Sequence, residues 1–134
     1  MENWQGLYQQ ALQVRNNAYA PYSHFAVGAC LLAADGSTYV GCNVENGSYG
    51  ICVCAERNAI TTAVAQGVRH FAAIAVVGGP QGVQAADLMP CLPCGICLQT
   101  MQEFCAPDFV VLVFEGGKPI EYTLQQLLPH AFAL

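Results

Sequence analysis

The sequence predicts an α/β domain, a three-layer α/β/α sandwich on a mixed five-stranded sheet. Three observations carry this. Helix-period and strand-period segments interleave along the chain instead of forming separate blocks. Two segments, "FAAIAVVG" and "FVVLVF", are continuous apolar runs of the kind found in strands covered on both faces. The link between the last two strands is too short for a parallel crossover, so that pair must be antiparallel. With 134 residues and no linker, charge block or repeat, the chain reads as one domain, 1–134.

The elements follow in order. Trp4, Leu7, Tyr8, Ala11 and Leu12 fall at helical spacing, which predicts an amphipathic helix over 2–18 that stops before Pro21. "FAVGACLLAADGSTYVGCNV" reads as two strands joined at Asp35-Gly36, a strong hairpin signal. A second helix spans 55–66 and ends near Gly67. A buried strand over 71–78 leads into a Gly/Pro/Gln loop over 79–93, and a third helix covers about 95–105. The strand at 109–114 turns through a four-residue connection, 115–118, into a strand over 118–123, and 124–128 form a short terminal helix.

Composition narrows the function. Nine acids stand against four bases, Arg15, Arg57, Arg69 and Lys118, for a net charge of −5. Polyanion binding needs clustered Lys and Arg, so nucleic acid is excluded as a partner. Only a tenth of the residues are charged, against about a quarter in an average soluble protein. So few charges on a small domain imply that part of its surface meets another subunit. "MENWQG" lacks the basic-then-apolar layout of a signal peptide, and no apolar run reaches the roughly twenty residues of a membrane span. The expected compartment is the cytoplasm, with no membrane partner.

There, eight cysteines argue against a disulfide framework. Cys30, Cys42 and Cys105 suit a core role as small hydrophobes. Cys52, Cys54, Cys91, Cys94 and Cys97 remain, under three readings. A redox dithiol at Cys94-Gly-Ile-Cys97 explains one stretch only. A structural zinc on Cys52, Cys54, Cys94 and Cys97 gives Glu56 no role, and Cys52 and Cys54 would have to face the metal from one short bend. A catalytic zinc on Cys54, Cys94 and Cys97 leaves a coordination position for water. Cys94 and Cys97 share one face at the start of a helix, Cys54 stands at the start of another, and two positive helix ends meet the thiolates. Glu56, nearly opposite Cys54 on a regular helix, converges with it only if the site lies off the helix end.

"CAER" and "PCGIC" together resemble the zinc-dependent nucleoside deaminases, whose signature pairs H-x-E, or an all-cysteine variant, with P-C-x-x-C. The chain is similar to the small homotetrameric cytidine deaminase family from "AYAPYSHFAVGA" through "GCNVENGSYG" to "LLPHAF". The resemblance implies one Zn²⁺ per chain on Cys54, Cys94 and Cys97, and a proton-shuttling Glu56 for hydrolytic deamination at C4 of cytosine. It implies a ribose site at Asn43 and Glu45, base or sugar contacts from Phe25 and Ala55, and Tyr49 and Phe132 reaching in from neighbouring subunits. Arg57 would donate hydrogen bonds to the ligand sulfurs. Two departures stand out: Leu98 follows the last ligand where the family commonly has Arg, and the longer loop before Cys94 brings Cys91. Turnover of cytidine and deoxycytidine in pyrimidine salvage is expected. A modified cytosine nucleoside, such as an aminoacyl-nucleoside antibiotic, is the alternative substrate, and a non-enzymatic structural-zinc or redox dithiol protein is the alternative class.

Overall fold

Alternation along the strands decides the layering. A strand points successive side chains to opposite faces, and in the computed structural model, which describes all 134 residues, both faces are apolar. The elements are α1 (Trp4–Arg15), β1 (Phe25–Ala33), β2 (Thr38–Cys42), α2 (Ala55–Ala65), β3 (Phe71–Pro80), α3 (Gly95–Phe104), β4 (Val110–Glu115), β5 (Lys118–Thr123) and α4 (Leu124–Leu127), with short 3₁₀ turns at Tyr49–Ile51 and Ala85–Asp87. Ile74 and Val76 join Leu31, Val111 and Val113 in a core beneath α2, α3 and α4. Ala73, Ala75 and Val77 join Cys30, Leu112 and Phe114 in a second core beneath α1, where Leu7, Tyr8 and Ala11 enter it. The result is the three-layer α/β/α sandwich.

The sheet order is β2-β1-β3-β4-β5. Only β3 and β4 run parallel, through Ala73↔Val110, Ile74↔Val111 and Ala75↔Leu112, and α3 lies on their crossover. The other pairs are antiparallel. Two glycines let helices approach the sheet closely. A Cβ on Gly28 would lie 2.0 Å from the Ala11 carbonyl oxygen, and one on Gly41 would lie 2.5 Å from that of Ala55.

Three boundaries differ from expectation. Helix α1 ends at Arg15, not residue 18, because the chain beyond it pairs elsewhere: Tyr19 donates its N–H to the Asn43 carbonyl and bridges Val44. Strand β3 continues two residues through Gly79 and Pro80, which pair with Ala26 and Phe25. Turn composition read as loop is overridden there by an available partner strand. The β4–β5 connection is the two-residue turn Gly116-Gly117, with φ of 57° and 84°. Positive φ at both centres is the mirror-image turn suited to tight hairpins, and glycine adopts it without a Cβ penalty.

Candidate active site

Beyond β2 the chain forms a short ribbon. Val44 and Val53 exchange N–H···O bonds of 2.9 Å as an antiparallel bridge, and the backbone is extended at Cys52 and Cys54. Alternation then turns Asn43, Glu45, Cys52 and Cys54 to one side, with Asn43 across from Cys54 and Glu45 across from Cys52. The segment 52–54 is thus extended around this isolated bridge and is not the bend the sequence suggested.

Cys54 ends the ribbon as N-cap of α2, and Cys94 is N-cap of α3; both are extended, so their side chains project off the helix ends. Cys97 lies in the first turn of α3, fully buried. Cys54 Sγ is 3.9 Å from Cys94 Sγ, which is 3.7 Å from Cys97 Sγ, and all three lie within 4.8 Å of one another. A tetrahedral zinc with Zn–S bonds near 2.3 Å has sulfur–sulfur edges of about 3.8 Å. The donor set and its spacing fit that ion, with three sulfurs leaving a fourth position.

Electrostatics agree. A hydrogen bond from Cys97, with help from Arg57 and Cys94, holds the Cys54 thiol well below its usual range. Cys97 is pushed up because it supplies that proton. Three sulfurs this close ionise together only with a cation among them. An Arg57 terminal nitrogen donates to the Cys52 carbonyl at 3.1 Å and to Cys54 Sγ at 3.7 Å, while its Nε is buried with no partner. Leu98 packs in the core with Met101, so Arg57 is the guanidinium that stands at the sulfurs.

Glu56 is in the first turn of α2, 5% exposed. Burial pushes its carboxyl up to about 7, and the neighbouring Cys54 thiolate adds to the shift. Cys52 and Cys91 stay outside the sulfur group. Cys52 Sγ accepts from the Asn46 N–H at 3.3 Å and donates to the Asn46 carbonyl at 3.6 Å. Cys91 packs on bare backbone, where a Cβ on Gly78 would come within 2.7 Å of its Sγ, and burial pushes its thiol up to about 12.

Residues 1–113 match the family model described as the cytidine and deoxycytidylate deaminase zinc-binding region. The chain belongs to this deaminase family. It is 45% identical to the cytidine deaminase of Sporosarcina psychrophila, over 95% of this chain and 89% of that protein. It is 46% identical to that of Halalkalibacterium halodurans, over 96% and 92%. The crystal structure of cytidine deaminase from Burkholderia pseudomallei superposes with a TM-score of 0.86 at 45% identity, over 98% of this chain and 100% of that one.

The other residues expected to serve a deaminase lie at the start of β1, along the ribbon, in the turn at Tyr49–Ile51, at the start of α2 and in the tail after α4. Asn43 accepts from the Val27 N–H at 2.8 Å and donates to the Phe25 carbonyl at 2.8 Å, which fixes the start of β1. Phe25 opens that strand, partly exposed. Glu45 lines a cavity of about 310 Å³ with Tyr22, Ser23, Tyr49 and Cys52. Ala55 has a fully buried side chain, so any ligand meets only its backbone. Tyr49 is 73% exposed and sets its ring edge-on to Tyr22, centroids 5.9 Å apart. Phe132 is 69% exposed, its carbonyl held by Gln99 Nε2 at 3.0 Å on the outside of α3. Gln99 is two residues from Cys97 and so points to the other side of the helix.

Sequence reasoning missed Tyr22 and Ser23. Their N–H groups and the Ser23 hydroxyl all donate to the Glu45 carboxylate. These bonds hold the Glu45 carboxyl below its usual range. The only signal was position, two polar residues just ahead of Phe25 in "PYSHF".

Proposed function

We propose that this chain is a cytidine deaminase of pyrimidine salvage, converting cytidine and deoxycytidine with water to uridine or deoxyuridine and ammonia. The observation that carries the reading is the three-sulfur group at two helix ends, with the buried Glu56 carboxyl beside it. Zinc, when bound, acts as a Lewis acid that ionises water near neutral pH. Cys54, Cys94 and Cys97 hold it, and Arg57 returns positive character to the sulfurs. Glu56 takes one proton from water and delivers it to N3 of the cytosine ring as the water oxygen bonds to C4. It then moves the second proton from the new C4 hydroxyl to the amine, which leaves as ammonia when the C4–N bond breaks. Burial keeps bulk water from competing for that carboxylate. Asn43 and Glu45, on the same side of the ribbon as Cys54, meet the sugar, and Phe25 packs near it.

A nucleoside suits the site better than a nucleotide or a strand. Arg15 donates to the carbonyls of Ala26, Gly79 and Pro80, Arg57 to Cys52, and Arg69 to Val64 and Val68. Each of the three guanidinium groups thus already donates to backbone oxygens, Arg57 also to a sulfur, and Lys118 is the remaining base. No helix is long and apolar enough to cross a membrane.

The working unit we propose is a cytoplasmic homotetramer with shared sites. Its support is the low charge content together with exposed Tyr49, Ile96 and Phe132. Within its own chain the tail carrying Phe132 lies on the side of α3 away from Cys97, so the ring serves a neighbour's site more readily than its own. The test of function is to incubate zinc-loaded protein with cytidine and follow the absorbance change to uridine, with zinc content measured alongside. Full zinc without turnover overturns the reading, and turnover only of an aminoacyl-cytosine nucleoside replaces the substrate.

A further inference from the structure

The loop ahead of β1 is wired to Glu45 more elaborately than a surface loop requires. Glu45 Oε1 accepts the N–H groups of Tyr22 at 3.0 Å and Ser23 at 3.1 Å. Glu45 Oε2 accepts the Ser23 hydroxyl. That hydroxyl also accepts the Phe25 N–H at 3.0 Å. A hydroxyl has one proton to give; with Phe25 aimed at a lone pair of Ser23 Oγ, the proton is left for Glu45. The loop's own geometry is fixed at His24, the one non-glycine residue with positive φ, 57°. His24 is held by its N–H on the Ala20 carbonyl and its carbonyl on the Gln81 N–H. Backbone in this region is unfavourable for a residue with a Cβ and persists where surrounding bonds over-determine it.

A carboxylate offers about four acceptor positions, two per oxygen. The loop fills both on Oε1 and one on Oε2. We propose that Ser23 is a positioning residue for the sugar: with the two N–H groups it locks the Glu45 carboxylate so that a single acceptor position, on the oxygen bound to Ser23, is left for a sugar hydroxyl. This rests on the sugar-binding reading of Glu45 given above. It makes Ser23 a determinant of discrimination against nucleosides lacking sugar hydroxyls. The two N–H groups still hold Oε1 when the Ser23 hydroxyl is removed, so its loss loosens the carboxylate without dismantling the site.

The test measures binding by calorimetry on zinc-loaded protein, with uridine and 2′,3′-dideoxyuridine as ligands, so that no turnover is needed. The unchanged protein should prefer uridine. Ser23→Ala should weaken uridine by about tenfold, the scale of one hydrogen bond to a charged group, and dideoxyuridine by no more than about twofold. Ser23→Thr, which keeps the hydroxyl, should bind uridine within about twofold of the unchanged protein. Equal weakening of both ligands by Ser23→Ala, no weakening of either, or a Thr variant as weak as the Ala variant overturns the proposal. If the Ala variant does not fold, Ser23→Cys, a weak donor of similar volume, takes its place under the same criteria. Glu45→Ala separates the two levels. If that variant prefers uridine over dideoxyuridine as strongly as the unchanged protein does, the sugar-binding reading of Glu45 fails, and the Ser23 proposal falls with it; a preference reduced but not abolished, with Asn43 still in place, upholds it.

Discussion

Glu56 and Cys94 stand at two helix starts, and substitution separates their roles. Glu56→Gln removes the proposed proton carrier and leaves all three sulfurs in place. It should keep its zinc, measured by metal analysis, while turnover falls by at least roughly a hundredfold. Cys94→Ser should lose the metal, whereas Cys91→Ser and Cys52→Ser should retain it. Loss of zinc from the Cys91 variant would show that the wrong thiol had been chosen. The sulfur group was legible in the sequence because its geometry is local: an i, i+3 pair opening one helix and a thiol capping another. Ser23 was not legible. Its meeting with Glu45 depends on a left-handed residue at His24 and on a ribbon between segments that share no motif. Cys52 lay between these cases, since only the extended backbone of 52–54 shows that it faces Glu45 and not the metal site.

Among elements, α2 matters most, because it carries Cys54 and Glu56 and rests directly on β2. At Gly41 the helix and strand meet backbone to backbone, with a would-be Cβ 2.5 Å from both the Ala55 oxygen and the Ala59 nitrogen. No rotamer relieves such a contact. Gly41→Ala should therefore lift α2 from the sheet, lowering stability by about 1–3 kcal/mol in thermal denaturation and weakening zinc retention in the same protein. Gly36→Ala, in the open hairpin turn, should cost stability through its φ of 92° yet leave metal content unchanged. Every helix and strand was legible from periodicity and turn residues. What periodicity could not supply was where pairing partners end. Strand β3 runs on through Gly-Pro because β1 reaches that far, and α1 stops early because Tyr19 has a place beside Val44.

At the scale of the whole molecule, the sparse charge and the outward Phe132 point to assembly, and complementation tests it. Glu56→Gln subunits mixed with Phe132→Ala subunits after dissociation and reassembly should recover activity above either parent, since some shared sites regain both residues. A monomer in sedimentation, or no recovery despite proven mixing, would rule the shared site out. The committed arginines lead to a second expectation, that CMP and cytosine-containing single strands are turned over far more slowly than cytidine. The sulfur group also ties together distant parts of the chain. Cys54 and Cys94 are forty residues apart in sequence, so an ion held by both closes a long loop as a covalent staple would. Counted as a crosslink, such a closure removes on the order of 4 kcal/mol of disorder from the unfolded chain. Chelation should then do more than silence the enzyme: it should lower the melting temperature and open the segment 81–93 to proteolysis before any other part of the fold.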